Sequence, residues 1–392
     1  MLAAVPLLLA ACGGGGPLKS AATAGSGAQP NLGSTYGTEY ENTGTGPMVA
    51  PTIPATPSVG DYFGSPKCSD GAHPDPTKPV ANDCTRVFHL TATQFVQHIA
   101  NFPMKDASVW GFQAGAMAPS TPGRTLISYA GEKVQIVETN KLPEPTTIHP
   151  HGLHQPNIAD GVAGIDQPNP IKPGYTYAYP AFRPGHVGTF AYHSHFSSAV
   201  QEQRGLDGMW VVLPRMEHQS VHVNEDAVMT LQIWDFQKSG QLVKPFGEMV
   251  GGQFPYDTIN GKTGDASGGP ITIYKGDLVR IRVYNASQEV HAMHLHGQDE
   301  VLVAKNGHAV PPIRETTQTV SPGDFFDIEF RADNPGNWIF HCHFPHHTAN
   351  AMDSGWHGAP VGMTRIFHYA GYKPVPAQYF SSAHYKSPTA MK

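Results

Sequence analysis

Between about residue 86 and residue 370 the chain alternates short apolar runs with turn residues. Thr125-Leu126-Ile127-Ser128-Tyr129 and Lys133-Val134-Gln135-Ile136-Val137 lie in the first half of this region. Val228 to Ile233, Asp277 to Tyr284, Phe325 to Phe330 and Trp338 to His343 lie in the second. Each run is rich in β-branched or aromatic residues and is bounded by Gly, Pro or other turn formers, so the pattern predicts strands. A strand roughly every 8–12 residues is the rhythm of an all-β sandwich or barrel. The chain also repeats itself: Gly131-Glu132-Lys133-Val134-Gln135-Ile136-Val137 is answered by Gly276-Asp277-Leu278-Val279-Arg280-Ile281-Arg282. Two similar β domains are therefore expected, residues 86–215 and 216–372.

The flanks have a different texture. Leu2 to Ala11 is an apolar run of the size of a signal h-region and too short to span a bilayer. It ends in Leu9-Ala10-Ala11-Cys12 ahead of four glycines, which resembles a bacterial lipobox with Cys12 as the lipidated residue. Residues 1–12 thus read as a lipoprotein-type signal peptide of an exported chain, placed in the periplasm or cell envelope. Residues 13–85 are dominated by Gly, Ala, Ser, Thr and Pro without periodicity, as in a flexible tether. A disulfide between Cys68 and Cys84, 16 residues apart, fits an exported chain. Residues 373–392 form a C-terminal tail.

Composition narrows the function. Gly (42) and Pro (36) make up about a fifth of the 392 residues, which disfavours long helices. Lys+Arg (25) is outnumbered by Asp+Glu (31), for a net charge of -6, so a nucleic-acid partner is not expected. The outlying number is 22 histidines. Eight of them form four His-x-His pairs: His149/His151, His193/His195, His294/His296 and His341/His343. Residues i and i+2 of a strand share a face, so each pair offers two imidazoles side by side. Two pairs per domain, converging, would make a metal site at a domain interface. The last pair brackets Cys342, which by alternation points the opposite way. With His291, His347 and Met352 it completes a His₂Cys set with a weak axial Met, the ligand set of a blue-copper site. His346 adjoins His347, and the five-residue spacing from Cys342 favours His347.

His149-Pro150-His151-Gly152, His193-Ser194-His195, His291-Ala292-Met293-His294-Leu295-His296-Gly297 and His341-Cys342-His343 with His347 and Met352 stand in the order of the motifs of multicopper oxidases. The chain resembles the two-domain type of that laccase-like family over roughly residues 86–370. The resemblance implies two cupredoxin domains and four coppers per subunit. His291, Cys342, His347 and Met352 would hold a type 1 copper. His149 and His294 would hold a type 2 copper, and His151, His193, His195, His296, His341 and His343 a type 3 pair. It implies one-electron oxidation of a phenolic or aromatic compound or of a metal ion, coupled to reduction of O2 to water. Asp160 matches an acidic residue that supplies protons near the cluster. Ala292 and Thr348 depart from the usual motif residues, and the segment Asp353 to Gly362 reads as an inserted loop. Copper nitrite reductases share the two-domain plan, but their blue-copper Cys lies in the first domain. A non-catalytic copper-carrying lipoprotein is the other alternative. Two-domain members place the cluster between the first domain of one subunit and the second of the next. Such a contact is heterologous and closes most simply as a homotrimer.

Overall fold

In a computed structural model of the chain, the described residues are 61–103, 105–215, 223–236, 255–351, 353 and 355–382. The signal segment with Cys12, most of the tether, the end of the C-terminal tail and Met352 lie outside them. The first domain holds ten strands: β1 (Asp61–Tyr62), β2 (Ser65–Cys68), β3 (Cys84–His98), β4 (Asp106–Ala114), β5 (Gly123–Tyr129), β6 (Lys133–Asn140), β7 (Ile148–His151), β8 (Thr176–Ala178), β9 (Gly188–Ser194) and β10 (Asp207–Leu213). The second holds β11 (Glu225–Asp235), β12 (Pro255–Ile259), β13 (Ile271–Ile273), β14 (Leu278–Asn285), β15 (His291–Leu295), β16 (Glu300–Lys305), β17 (His308–Glu315), β18 (Thr317–Val320), β19 (Phe325–Arg331), β20 (Asn337–Cys342) and β21 (Thr364–Tyr369).

Each domain is a sandwich of two sheets. In the first, β1-β5-β10-β9-β7 faces a sheet built on β3, which pairs with β2, β4 and β6, with β8 beyond β6. In the second, β12-β11-β14-β19-β16-β17 faces β13-β21-β20-β15-β18. Alternation builds the cores: Val134 and Ile136 of β6 point inward with Phe88, Phe190 and Trp210. Ile281 and Val283 of β14 meet Met293, Phe340 and Cys342 in the second core. The echoed segments are the starts of β6 and β14, and their ends match too. Asn140 closes β6 by donating to the Glu144 and Ile171 carbonyls. Asn285 closes β14 by donating to those of Glu289 and Val320. The Asn therefore turns the chain identically ahead of His149 and His294, nine residues on in each case.

The expected 13–85 tether gives way to ordered structure by Asp61. Strand β1 pairs parallel to β5, and β2 pairs antiparallel to β3 with Cys68 opposite Cys84. These two cysteines form a disulfide. The cause is Arg86, fully buried, whose guanidinium is paired to the equally buried Glu132 at 2.7 Å. It donates its remaining N–H groups to the carbonyls of Phe63, Pro76 and Lys78. One charged side chain thus satisfies a polar, non-periodic segment, which is why no hydrophobic pattern announced it. Removing one partner of a buried pair strands the other charge. Arg86→Ala is expected to cost about 3–5 kcal/mol, measured as a shift in the denaturant midpoint at unchanged slope. A loss under about 1 kcal/mol, the range of an exposed pair, would contradict this account.

The two domains meet across an apolar seam in which Ile99, Ala100 and Val109 pack on Trp234, Phe236 and Tyr256. Arg282 of β14 adds a polar bolt. It grips Asp226 with two hydrogen bonds and reaches Thr189 of the first domain at 2.8 Å.

Candidate metal centres

The tightest cluster is built on two adjacent strands of the second domain. His291 opens β15, Cys342 ends β20, and a 3₁₀ turn at Pro345–Thr348 returns His347 to them. His291 and Cys342 are fully buried and His347 is 3% exposed. The Cys342 Sγ lies 3.3 Å from the Nδ1 of His347 and 3.6 Å from that of His291, and the two Nδ1 atoms are 3.2 Å apart. Ligands at about 2.0 Å (N) and 2.3 Å (S) around one metal stand about 3.5 Å from each other, so the three atoms already have the spacing of a coordination triangle. The far nitrogens are also engaged. Nε2 of His291 meets Ser287 Oγ at 2.7 Å, and Nε2 of His347 meets Glu289 Oε2 at 3.1 Å. Such partners aim a ligating imidazole and raise its basicity.

The electrostatics describe a pocket that wants one positive charge. Burial pulls the His347 pKa down, but hydrogen bonds to Cys342 and Glu289 and the nearby Asp257 outweigh it and raise it to about 10. Burial, and then His347, take His291 down to about 3. The free site therefore concentrates one proton on His347, where a cation bound by all three residues would replace it. His346 is not part of this triangle. It is exposed, its ring 4.3 Å from that of His347, on the side of Glu289.

The eight paired histidines form two quartets, one per domain. In the first, His149 and His151 come from β7 and His193 from β9, with His195 just beyond it. Ring centroids lie 5.3–5.8 Å apart for His149 with His151, His193 and His195. His151 Nδ1 and His193 Nε2 are 3.1 Å apart. In the second quartet, His294 and His296 come from β15 and His341 from β20, with His343 beyond. His294 stands 4.8, 5.6 and 5.5 Å from His296, His341 and His343. Among the described residues every contact between two of these imidazole rings stays within one quartet, although His151 also meets the Phe325 ring of the second domain at 5.7 Å. The first quartet is largely shielded, with His193 only 7% exposed, whereas His296 and His343 of the second face solvent.

Backbone carbonyls select the ligating nitrogen. The Nδ1 of His149, His193 and His341 meet the carbonyls of Asp160, Ser194 and Cys342 at 2.8–2.9 Å, and that of His294 meets Thr316. With Nδ1–H donating to a carbonyl, Nε2 keeps its lone pair for a metal. The Asp160 carboxylate also stands 3.2 Å from His149 Nδ1 and accepts from Gln155 at 2.6 Å. A second carboxylate, Glu202, lies 3.3 Å from His193 Nδ1. Sequence reasoning did not single out Glu202, Glu289 or Ser287, because nothing in their neighbourhoods distinguishes them from loop residues.

Residues 101–217 and residues 229–355 each match a family described as multicopper oxidase. The two matches together span more than half of the chain. This chain belongs to the multicopper oxidase family. Its sandwiches are accordingly cupredoxin-like, and the family implies copper as the metal. A solved multicopper oxidase, mgLAC, is 30% identical, superposes with a TM-score of 0.65, and is matched over 77% of this chain and 92% of its own. Laccase-3 of Thanatephorus cucumeris is 29% identical over 56% of this chain and 41% of its own length. A probable nitrite reductase-hydroxylamine oxidoreductase fusion protein of Kuenenia stuttgartiensis is 29% identical over 62% of this chain and 28% of its own length. The chain thus spans less than half the length of these curated relatives.

Within this multicopper oxidase, the repeat exposes a second observation. His193-Ser194-His195 occupies in β9 the place of His341-Cys342-His343 in β20, and Ser194 stands where Cys342 does. Behind it, Thr146, Ser194 and Gln201 are all fully buried and mutually bonded, Ser194 Oγ donating to Gln201 Oε1 at 2.5 Å and Thr146 at 2.9 Å. Gln201 in turn donates to Glu144, the repeat counterpart of Glu289. The first domain therefore fills with a neutral hydrogen-bonded triad the position that the second fills with His291, Cys342 and His347.

Proposed function

We propose that the protein oxidises a reducing donor one electron at a time at a type 1 copper held by His291, Cys342, His347 and Met352. The electrons serve the reduction of O2 to water at a trinuclear cluster held by the eight paired histidines. His149 and His294 take the type 2 role. His151, His193, His195, His296, His341 and His343 take the type 3 role. The observation that carries this reading is the junction at Cys342: a buried thiol in a coordination triangle, with one neighbour on each side belonging to a histidine quartet. Four bound coppers per subunit would supply the one-electron transfers and the four-electron chemistry on O2. The chain supplies the rest. Cys342 links donor site and quartet covalently through His341 and His343. Ser287 and Glu289 hold the ligating rings against rotation. Asp160, fixed by Gln155 beside His149, is the group that carries a proton to the first quartet.

Each quartet is half a cluster, and the second has exposed members. Copies of the chain completing one another around a closed ring, as a homotrimer, satisfy both halves. The leader is read as an export signal with Cys12 lipidated, which would tether the ring to the cell envelope.

The donor, a phenolic or aromatic compound or a metal ion, meets the protein at the half-exposed Glu289, the exposed His346 and the exposed Phe344 around His347. Oxygen uptake with copper-loaded protein tests the proposal, using phenols, aromatic amines, Cu(I), Fe(II) and Mn(II) in turn. The expected result is O2 consumption at one per four electrons, no accumulated peroxide, and near four coppers per chain. Glu289→Gln should slow the preferred donor by about 10–100-fold, the usual cost of losing the partner of a ligating His. Reduction of nitrite with two coppers per chain, or one copper and no turnover, would replace this reading by a nitrite reductase or a carrier.

A further inference from the structure

We propose that an open groove at one edge of the second domain binds a hard divalent cation, Ca2+, Mg2+ or Mn2+, through Glu300 and Glu315. The groove encloses about 640 Å3 between the β16–β17 hairpin and β18. Glu300 and Glu315 are directly opposed in the antiparallel pairing of β16 with β17. Side chains so placed lie on one face about 4.5–5.5 Å apart at Cβ, and like charges there repel. Arg314 also lines the groove, yet among the described residues neither Glu300 nor Glu315 has an ion-pair partner. Arg314 alternates to the other face of β17 and is paired with the exposed Asp299 at 3.4 Å.

Two side chains show that the groove expects a ligand. Glu300 is 1% exposed and lines the groove, yet only the Leu295 backbone approaches its carboxylate, and neither oxygen has a donor in good hydrogen-bond geometry. Gln318, 7% exposed and contributed independently by β18, leaves its Oε1 unbonded in the same lining. A buried carboxylate without donors costs several kcal/mol unless it takes up a proton or a cation. Burial, and then Glu315, push the Glu300 pKa up to about 8 against the pull of the Leu295 backbone, and a bound cation would remove that same penalty.

The donor set identifies the class of ion. Apart from the Arg314 guanidinium, which is paired with Asp299, the lining holds carboxylates, threonine hydroxyls and an amide, with no imidazole or thiol. All-oxygen sets suit Ca2+, Mg2+ and Mn2+, and the open side leaves room for the coordinated waters these ions keep. The groove is thus chemically separate from the copper sites, although it adjoins one of them through Thr316, whose carbonyl holds His294.

The test is calorimetric titration of the copper-loaded protein, so that the histidines are occupied, with each of the three ions in chelator-treated buffer. One saturable site per chain is expected for at least one of them. Glu300→Gln and Glu315→Gln should each weaken it by about tenfold or more, whereas Asp333→Asn, an exposed carboxylate outside the groove, should leave it within about twofold. Should Glu300→Gln fail to fold, the partly exposed Glu315→Gln decides. Absence of saturable binding by all three ions, or an unchanged affinity in Glu315→Gln, overturns the site and leaves Glu300 as a buried protonated acid.

Discussion

Cys342→Ser is expected to remove the intense blue absorption of the copper-loaded protein and to stop donor oxidation, while the fold survives. The colour requires a thiolate on copper, and Cys342 is the one free cysteine among the described residues. The hydroxyl of serine is a hard, poorly acidic ligand, so the bond that would couple the metal to the backbone path through His341 and His343 would be lost. The fold should tolerate the change. Ser194 occupies the corresponding place in the first domain, where it is buried and bonded to Gln201. The β-sandwich core is otherwise untouched, so far-UV circular dichroism should be unaltered. Visible and electron paramagnetic resonance spectra of the variant are the measurement. An unchanged spectrum would remove Cys342 from the metal site. A colourless protein that still oxidises donors would separate the Cys342 triangle from the oxidase activity.

The second large effect concerns assembly. A variant with His149 and His151 changed to Ala should be inactive, and so should one with His294 and His296 changed to Ala. Mixed in one refolding or co-expression, the two should regain part of the wild-type rate. In a ring of subunits, some interfaces then pair an intact first-domain quartet with an intact second-domain quartet. If instead one chain's two quartets formed a single cluster, every subunit in the mixture would be damaged and no activity could return. The observation behind this expectation is that no imidazole of one quartet touches an imidazole of the other among the described residues, while His296 and His343 face solvent. Size-exclusion chromatography with light scattering gives the independent readout. A trimer is expected, and a dead mixture together with a monomeric wild type would refute the shared cluster.

Much of this protein is written locally. Period-2 alternation reports a strand because successive side chains point to opposite faces, so β6, β14, β19 and β20 were legible as runs of a few residues. The same rule explains why His341 and His343 lie on one face and Cys342 on the other, in the core. The internal repeat was legible for a related reason: the same strand start recurs before the same turn. Residue types also pointed to the metal: zinc too would accept His₂Cys, but a thioether at Met352 and eight neighbouring histidines favour copper.

Tertiary structure decided what depends on residues far apart in the chain. Glu289 and His347 are separated by 58 residues, and Arg86 and Glu132 by 46, so no local window contains both partners. Arg86 is why a segment that reads as tether is folded from Asp61 onward. Its buried charge is satisfied by carbonyls of a Pro-rich stretch with no apolar period of its own. Folding also separated two sites that read alike. His-x-His with a central Ser or Cys gives the same strand in both domains. Only the packing behind it shows that Thr146 and Gln201 close the first as a neutral hydrogen-bonded triad, while His291 and His347 leave the second electron-rich and in need of a cation. A pattern of side chains along a strand records which way each one points. What it meets there is set by the strands folded against it.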